Sequence, residues 1–467
     1  MTGDRARRVR RPAGPPGRGF VRSAIVLGCC LCLVGLVSFV TGHALVGGGV
    51  PVPSAAGVRS SLVPVRPTPT AGPRTATNRA SRIAGKHLGA ARALLDRQVA
   101  AVRHRDRGAY LATIDPRATA FAKVAARTFD NLVLMDVSDF HFGSPVVDEG
   151  ALTPARRRAL GPSAWVAEVD VTFVIPGGDR QPWTSALRMA FVEQAGRTYL
   201  ASDQEGQASS APVPLWLAAK VSVVRGTHSL LIGAVPQSRL RQYAGTADRA
   251  VPRVTAVWGS DWAQYVVVIV PGTQQQMERA VGVGARSQGA VAAVTTSVGR
   301  ANPARGSHIV VNPETFDKVG SLGRLVVLTH EITHVAAHAT VSTMPVWLSE
   351  GFADYVGFHD SGLPPTVVAQ EFLEHVRRSG APAALPGAAE FDPQAKQLDE
   401  AYESAWLACR YIARTWSEET LVEFYKAMDL ATAKTDEARV YDSVLGTTPT
   451  AFAAGWRRYV MDTSTQE

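Results

Sequence analysis

Residues 327–338 read "VLTHEITHVAAH": three histidines at intervals of four, with Glu331 directly after the first. Side chains four apart on an α-helix lie one above the other, about 6 Å between Cβ atoms, so His330 and His334 can reach one ion. Glu331 projects roughly 100° away from that pair and can address a water instead of the ion. All of this requires a helix. Residues 324–344 contain neither glycine nor proline, and Gly323 and Pro345 bound them. That length predicts a buried helix over about 322–340, in spite of the β-branched Val326, Val327, Thr329, Ile332, Thr333 and Val335. His338 lies two turns past His330, about 12 Å along a straight helix, too far to share the ion. It is expected to pack or to support the site from behind.

Thirteen residues after His334 begins "WLSEGFADY", Trp347–Tyr355. Together the two segments resemble the signature of gluzincin zinc metallopeptidases, the membrane-alanyl aminopeptidases and the related peptidase MA-like domains. The resemblance implies Zn2+ held by His330, His334 and Glu350, with a fourth position left for water. It implies Glu331 as the general base, and Asp354 as a hydrogen-bond partner that orients His330. Farther on, "AYESAWLACRYIA", 401–413, is similar to the helix in which such enzymes carry a tyrosine that donates to the oxyanion, and Tyr402 holds the matching place. Tyr402 also fits a plain core stripe continued by Trp406 and Cys409. Trp347 and Phe352 read as core, and "EFLEH", Glu371 to His375, is a rival source of an acid or ligand.

The activity so implied is hydrolysis of a peptide or protein substrate. "SHIVVNP", 307–313, is the strand expected at the sheet edge, where an extended peptide would pair with it. Two departures from the aminopeptidases matter. The interval from His334 to Glu350 is shorter than theirs, and their "GxMEN" amine-binding segment is absent, so endopeptidase action is as open as exopeptidase action. The same scaffold stripped of catalysis, serving as a peptide- or partner-binding module, is the alternative.

Charge is distributed unevenly along the 467 residues, whose net charge is +9. Residues 1–22 carry seven arginines against one aspartate, and 43–86 carry five arginines and a lysine with no acid. These two stretches account for more than the whole excess and leave the remainder slightly acidic, so the basic balance gives no reason to expect nucleic acid as a partner. Between them "SAIVLGCCLCLVGLVSFVTG", 23–42, is uncharged over twenty residues, enough for a membrane-crossing helix. Arginines before it put the N-terminus in the cytoplasm and the bulk outside the cell membrane; a cleaved signal peptide is the rival. Three of the four cysteines lie in this run, which leaves Cys409 alone in the outer part and rules out a thiolate-ligated metal there.

The expected organisation is α+β throughout its folded part. A basic cytoplasmic tail (1–22) and a transmembrane helix (23–42) lead into a disordered Pro/Gly/Ser/Thr-rich linker (43–82). Residues 83–235 follow as an α+β domain, and 236–467 as a zincin-like α+β domain whose C-terminal part is mostly helical. In the middle domain two helical stretches precede alternating runs, "AWVAEVDVTFVI" and "WTSALRMAFVEQ", joined across "PGGD", a hairpin signal. Helices followed by a curved antiparallel sheet resembles the NTF2-like fold. "QYVVVIVP", 264–271, reads as a buried strand, and the helix preceding it is expected to break before Pro252.

Overall fold

The computed structural model describes residues 74–148, 150–177, 182–206, 212–282, 292–297, 307–392, 394–431 and 434–466. The segment 23–42 lies outside them, and among the described residues no helix is long and apolar enough to cross a membrane. A 30-residue helix α1 (Arg74–Arg103) and helix α2 (Thr119–Leu134) precede the first sheet. That sheet is antiparallel, with β1 (Ser138–Phe142), β3 (Trp165–Val174), β4 (Trp183–Gln194) and β5 (Arg197–Ser202) in that order; β2 (Val146–Val147) also pairs with β3. The β3–β4 hairpin keeps one register from Trp165↔Phe191 to Phe173↔Trp183. Its alternating apolar residues (Val169, Val171 and Phe173, opposite Leu187 and Met189) are buried, as a half-covered antiparallel sheet requires.

A second five-stranded sheet runs in the order β6 (Ser222–Arg225), β7 (Ser229–Gly233), β8 (Val266–Val270), β10 (Ser307–Val311) and β9 (Ala293–Ser297). Two features differ from the sequence-based expectation. Strands β6 and β7, grouped there with the preceding unit, hydrogen-bond into this second sheet. "SHIVVNP" is no edge: β10 pairs in parallel with β8 and antiparallel with β9, so β9 forms the edge among the described residues. A strand's own pattern shows that it is buried, not which neighbour lies outside it. β7 and β8 are buried at every position, which fits their unbroken apolar runs "SLLIG" and "VVVIV".

The helix α3 (Gln237–Trp258) continues through Pro252. The expected break does not occur because Pro252 points to the exposed side, while Leu240, Tyr243, Ala247, Val251 and Val254 bury the opposite stripe. The core holds the helix across one missing hydrogen bond. The longer helices that follow the second sheet are α4 (Gly320–Ala336), α5 (Val346–Phe358), α6 (Gln370–Ser379), α7 (Leu398–Thr415), α8 (Glu418–Asp429), α9 (Lys434–Leu445) and α10 (Pro449–Ser464).

Alternation along β9 and β10 assigns the faces of the second sheet. Thr295 pairs with Ile309 and points at α4, whereas Thr296 pairs with His308 and points the other way. On that reverse face the Trp183 ring, from the hairpin of the first sheet, lies 4.1 Å from the His308 ring. Asn131 of α2 also ties the two parts together. Its amide donates to the carbonyls of Trp216 and Ala219, and its oxygen accepts from the Val221 N–H, just before β6. One continuous apolar core includes residues of both parts.

Among the C-terminal helices, Glu403 of α7 is buried and accepts a hydrogen bond from the Phe372 N–H near the start of α6. Burial, with Glu371, Asp399 and Glu400 nearby, pushes its carboxyl from the ordinary 4.5 up to about 9. A folded-state pKa raised in this way favours folding at acid pH and loses that contribution as pH climbs from 4.5 towards 9. Glu403→Gln keeps the acceptor and removes the titration. It should therefore raise stability near pH 8 by as much as about 5 kcal/mol and by less than about 1 kcal/mol at pH 5. Urea midpoints at the two pH values check this, and an equal gain at both would contradict it.

Candidate metal centre

Helix α4 is buried on nearly all sides from Leu325 to His334. Its β-branched polar residues are satisfied within the helix: the hydroxyls of Thr329 and Thr333 donate to the carbonyls of Leu325 and Thr329, at 2.7 and 2.8 Å. The helix stops at Ala336. His338 takes a left-handed conformation (φ 53°) and is exposed, so it neither packs nor supports the site as its spacing suggested.

Helix α5 lies against α4 on one side and α7 on the other, and two glycines set those distances. A Cβ on Gly351 would sit 2.4 Å from the Ala405 carbonyl oxygen of α7, and one on Gly357 would sit 3.2 Å from the Val326 carbonyl oxygen of α4. Backbone this close delivers Glu350 and Asp354, four residues apart on one face, to the histidines of α4.

His330 Nε2 and His334 Nε2 are 3.0 Å apart, and Glu350 Oε2 lies 3.4 and 3.6 Å from them. A tetrahedral zinc with bonds of about 2.0–2.2 Å separates its ligand atoms by roughly 3.3–3.5 Å, so this triangle matches one face of such a site. Among the described residues it is the group of three able to hold a metal ion. Asp354 Oδ1 is 2.7 Å from His330 Nδ1. A carboxylate only accepts, so Nδ1 carries the proton and Nε2 turns its lone pair to the centre. The chemistry of the set also asks for a cation. Glu331, Glu350 and Asp354 are all at most 4 % exposed, and three acids with two imidazoles leave excess negative charge in a dry interior. Burial alone would push Glu350 up, but His334 and His330 outweigh it and hold its carboxyl at about 2. Burial wins at Glu331, and its carboxyl is raised.

Glu331 stands beside the triangle, not in it. Its Oε2 accepts from the Thr295 hydroxyl at 2.6 Å, and its Oε1 has no hydrogen-bond partner among the described residues. Glu350 Oε2 and His334 Nδ1 are likewise buried without such a partner. Tyr402 of α7 is buried, its ring edge-on to Phe391. The rival His375 pairs with Glu400 at 3.0 Å on the half-exposed side of α6, and Trp347 and Phe352 are core. Thr295 did not emerge from the sequence; the one signal for its strand was the short β-branched run "VTTS" in a glycine-rich stretch.

No protein-family model matches the chain, and no curated protein matches it. Among solved structures the chain is similar to an M1 zinc metallopeptidase from Deinococcus radiodurans in a mutant form bound to a Tyr-Ser-Ala substrate, at 16 % identity and a TM-score of 0.32, covering 64 % of this chain and 61 % of that one. It is similar also to the M1 zinc metallopeptidase of that organism at 17 % identity and a TM-score of 0.30, covering 64 % and 60 %. The chain thus matches about three fifths of the length of these structures.

Proposed function

We propose that this chain is a zinc-dependent metallopeptidase that hydrolyses peptide bonds. We further propose that residues 23–42 anchor it in the cell membrane, with the N-terminus cytoplasmic and the catalytic part outside. The observation that carries the reading is the triangle of His330, His334 and Glu350, with a buried carboxylate, Glu331, beside it and one oxygen of that carboxylate unengaged. Bound there, zinc would supply the Lewis acidity that makes water a nucleophile near neutral pH.

The chain's own groups do the rest. Glu331 Oε1 takes a proton from the attacking water and returns it to the leaving amine as the C–N bond breaks. Asp354 fixes the His330 ring, and the Tyr402 hydroxyl donates to the oxyanion. Among the described residues β9 is the sheet edge along which an extended peptide would pair, with Ala293 and Thr295 buried in this structure. Asn312 and Ala292 form a hydrogen-bonded pair, so the N–H and C=O groups of Ala293, Thr295 and Ser297 point away from β10. Main-chain pairing of that kind suits a peptide with loose side-chain requirements.

Zinc content and cleavage of a quenched fluorescent peptide library by the purified chain test the proposal together. One zinc per chain with turnover is expected; zinc without turnover would favour a peptide-binding module, and no zinc would end the metal reading. Asp354→Asn should weaken zinc binding by about 10–100-fold with folding retained, as read by chelator competition.

A further inference from the structure

We propose that Thr295 is a positioning residue for the reaction: its hydroxyl fixes the Glu331 carboxylate so that Oε1 alone is presented to water. The proposal rests on Glu331 acting as general base. Thr295 is fully buried on the edge strand, and its hydroxyl has one proton to give. Glu331 Oε2 lies at 2.6 Å, closer than the Glu331 main-chain oxygen at 3.2 Å, and takes that proton. A carboxylate on a flexible side chain has two equivalent oxygens and can rotate. Engaging one of them leaves the other as the proton acceptor in a defined direction, which removes a reorganisation step from each turnover.

The placement of Thr295 makes the idea separable from substrate binding. Its side chain faces α4, whereas its peptide N–H and C=O point away from β10. Replacing the hydroxyl by a methyl group therefore leaves main-chain pairing intact, and valine keeps the β-branched shape the strand favours.

The test compares the full chain with Thr295→Val and Thr295→Ser. Thr295→Val should lower kcat by between roughly tenfold and a hundredfold, with KM within about twofold and zinc still at one per chain. Thr295→Ser should restore most of the rate. A rise in KM at constant kcat, or loss of zinc, would overturn the proposal, because the residue would then be a substrate contact or a support of the metal ligands. A second measurement needs no activity. Thermal midpoints of wild type, Thr295→Val, Glu331→Ala and the double variant should be non-additive, the valine having little effect once Glu331 is gone. Additivity would sink the pairing. If no form of the chain cleaves any peptide, the peptidase reading has failed, and this cycle still decides whether Thr295 and Glu331 hold each other.

Discussion

Glu331→Gln should reduce peptide hydrolysis by roughly 10²–10⁴-fold while zinc remains at one per chain. The two outcomes separate because Glu331 is not one of the three groups whose ligand atoms converge. Glutamine keeps the length and planar shape of the side chain, and its carbonyl oxygen can still accept from Thr295. What it lacks is an oxygen able to take a proton. Burial already disfavours the charged form of Glu331, so the neutral amide should leave the thermal midpoint unchanged or slightly raised. A fall in rate therefore cannot be ascribed to unfolding. Activity within tenfold of wild type would remove Glu331 from the reaction and require another base.

The largest effect on the fold is expected at Gly351. Its Cβ position lies 2.4 Å from the carbonyl oxygen and 2.6 Å from the carbonyl carbon of Ala405, both main chain in the middle of α7. Neither atom can swing aside as a flexible side chain would, so α5 and α7 must part. The core around that contact is close-packed, with Leu348, Phe352, Ala405 and Ala408 at or near zero exposure. Gly351→Ala should cost about 3–5 kcal/mol and displace Glu350, so that zinc affinity falls along with stability. Gly245→Ala is the control: it sits inside α3 with nothing within 4 Å of the added carbon, and should stabilise by up to about 1 kcal/mol. Denaturation midpoints and zinc stoichiometry read both. Equal, small effects at the two sites would show that the α5–α7 approach is slack.

These two residues mark what was legible before any coordinates. Histidines four apart and a glutamate between them sit in one helix, so local geometry alone brings His330 and His334 together and turns Glu331 aside. The arrival of Glu350 depends on how two helices meet. No periodicity encodes that, and only the resemblance of "WLSEGFADY" to a known signature supplied it. The glycine in that segment looks like a weak point of a helix on propensity alone; its reason is the carbonyl of Ala405, more than fifty positions away. Thr295 was hidden for a related reason. Its strand is five residues long, and its partner Glu331 lies on helix α4, 36 positions on. The order of strands was equally illegible, because β10 and β9 both suit an edge by composition, and their neighbours decide which one occupies it. The end of α4 before His338 and the passage of α3 through Pro252 are two more outcomes set by tertiary packing.

The contact between Trp183 and His308 limits how this protein can be cut and rejoined. The reverse face of the second sheet presents Leu230, Val267, Ile269 and Val310, all buried, and the hairpin stands against that face at His308. A chimaera that grafts the metal-bearing half onto a foreign partner would uncover His308 where Trp183 packs and strip the Trp216, Ala219 and Val221 main-chain groups of their Asn131 partner. Recombination, in the laboratory or over evolutionary time, should therefore transmit the two halves as a single heritable block.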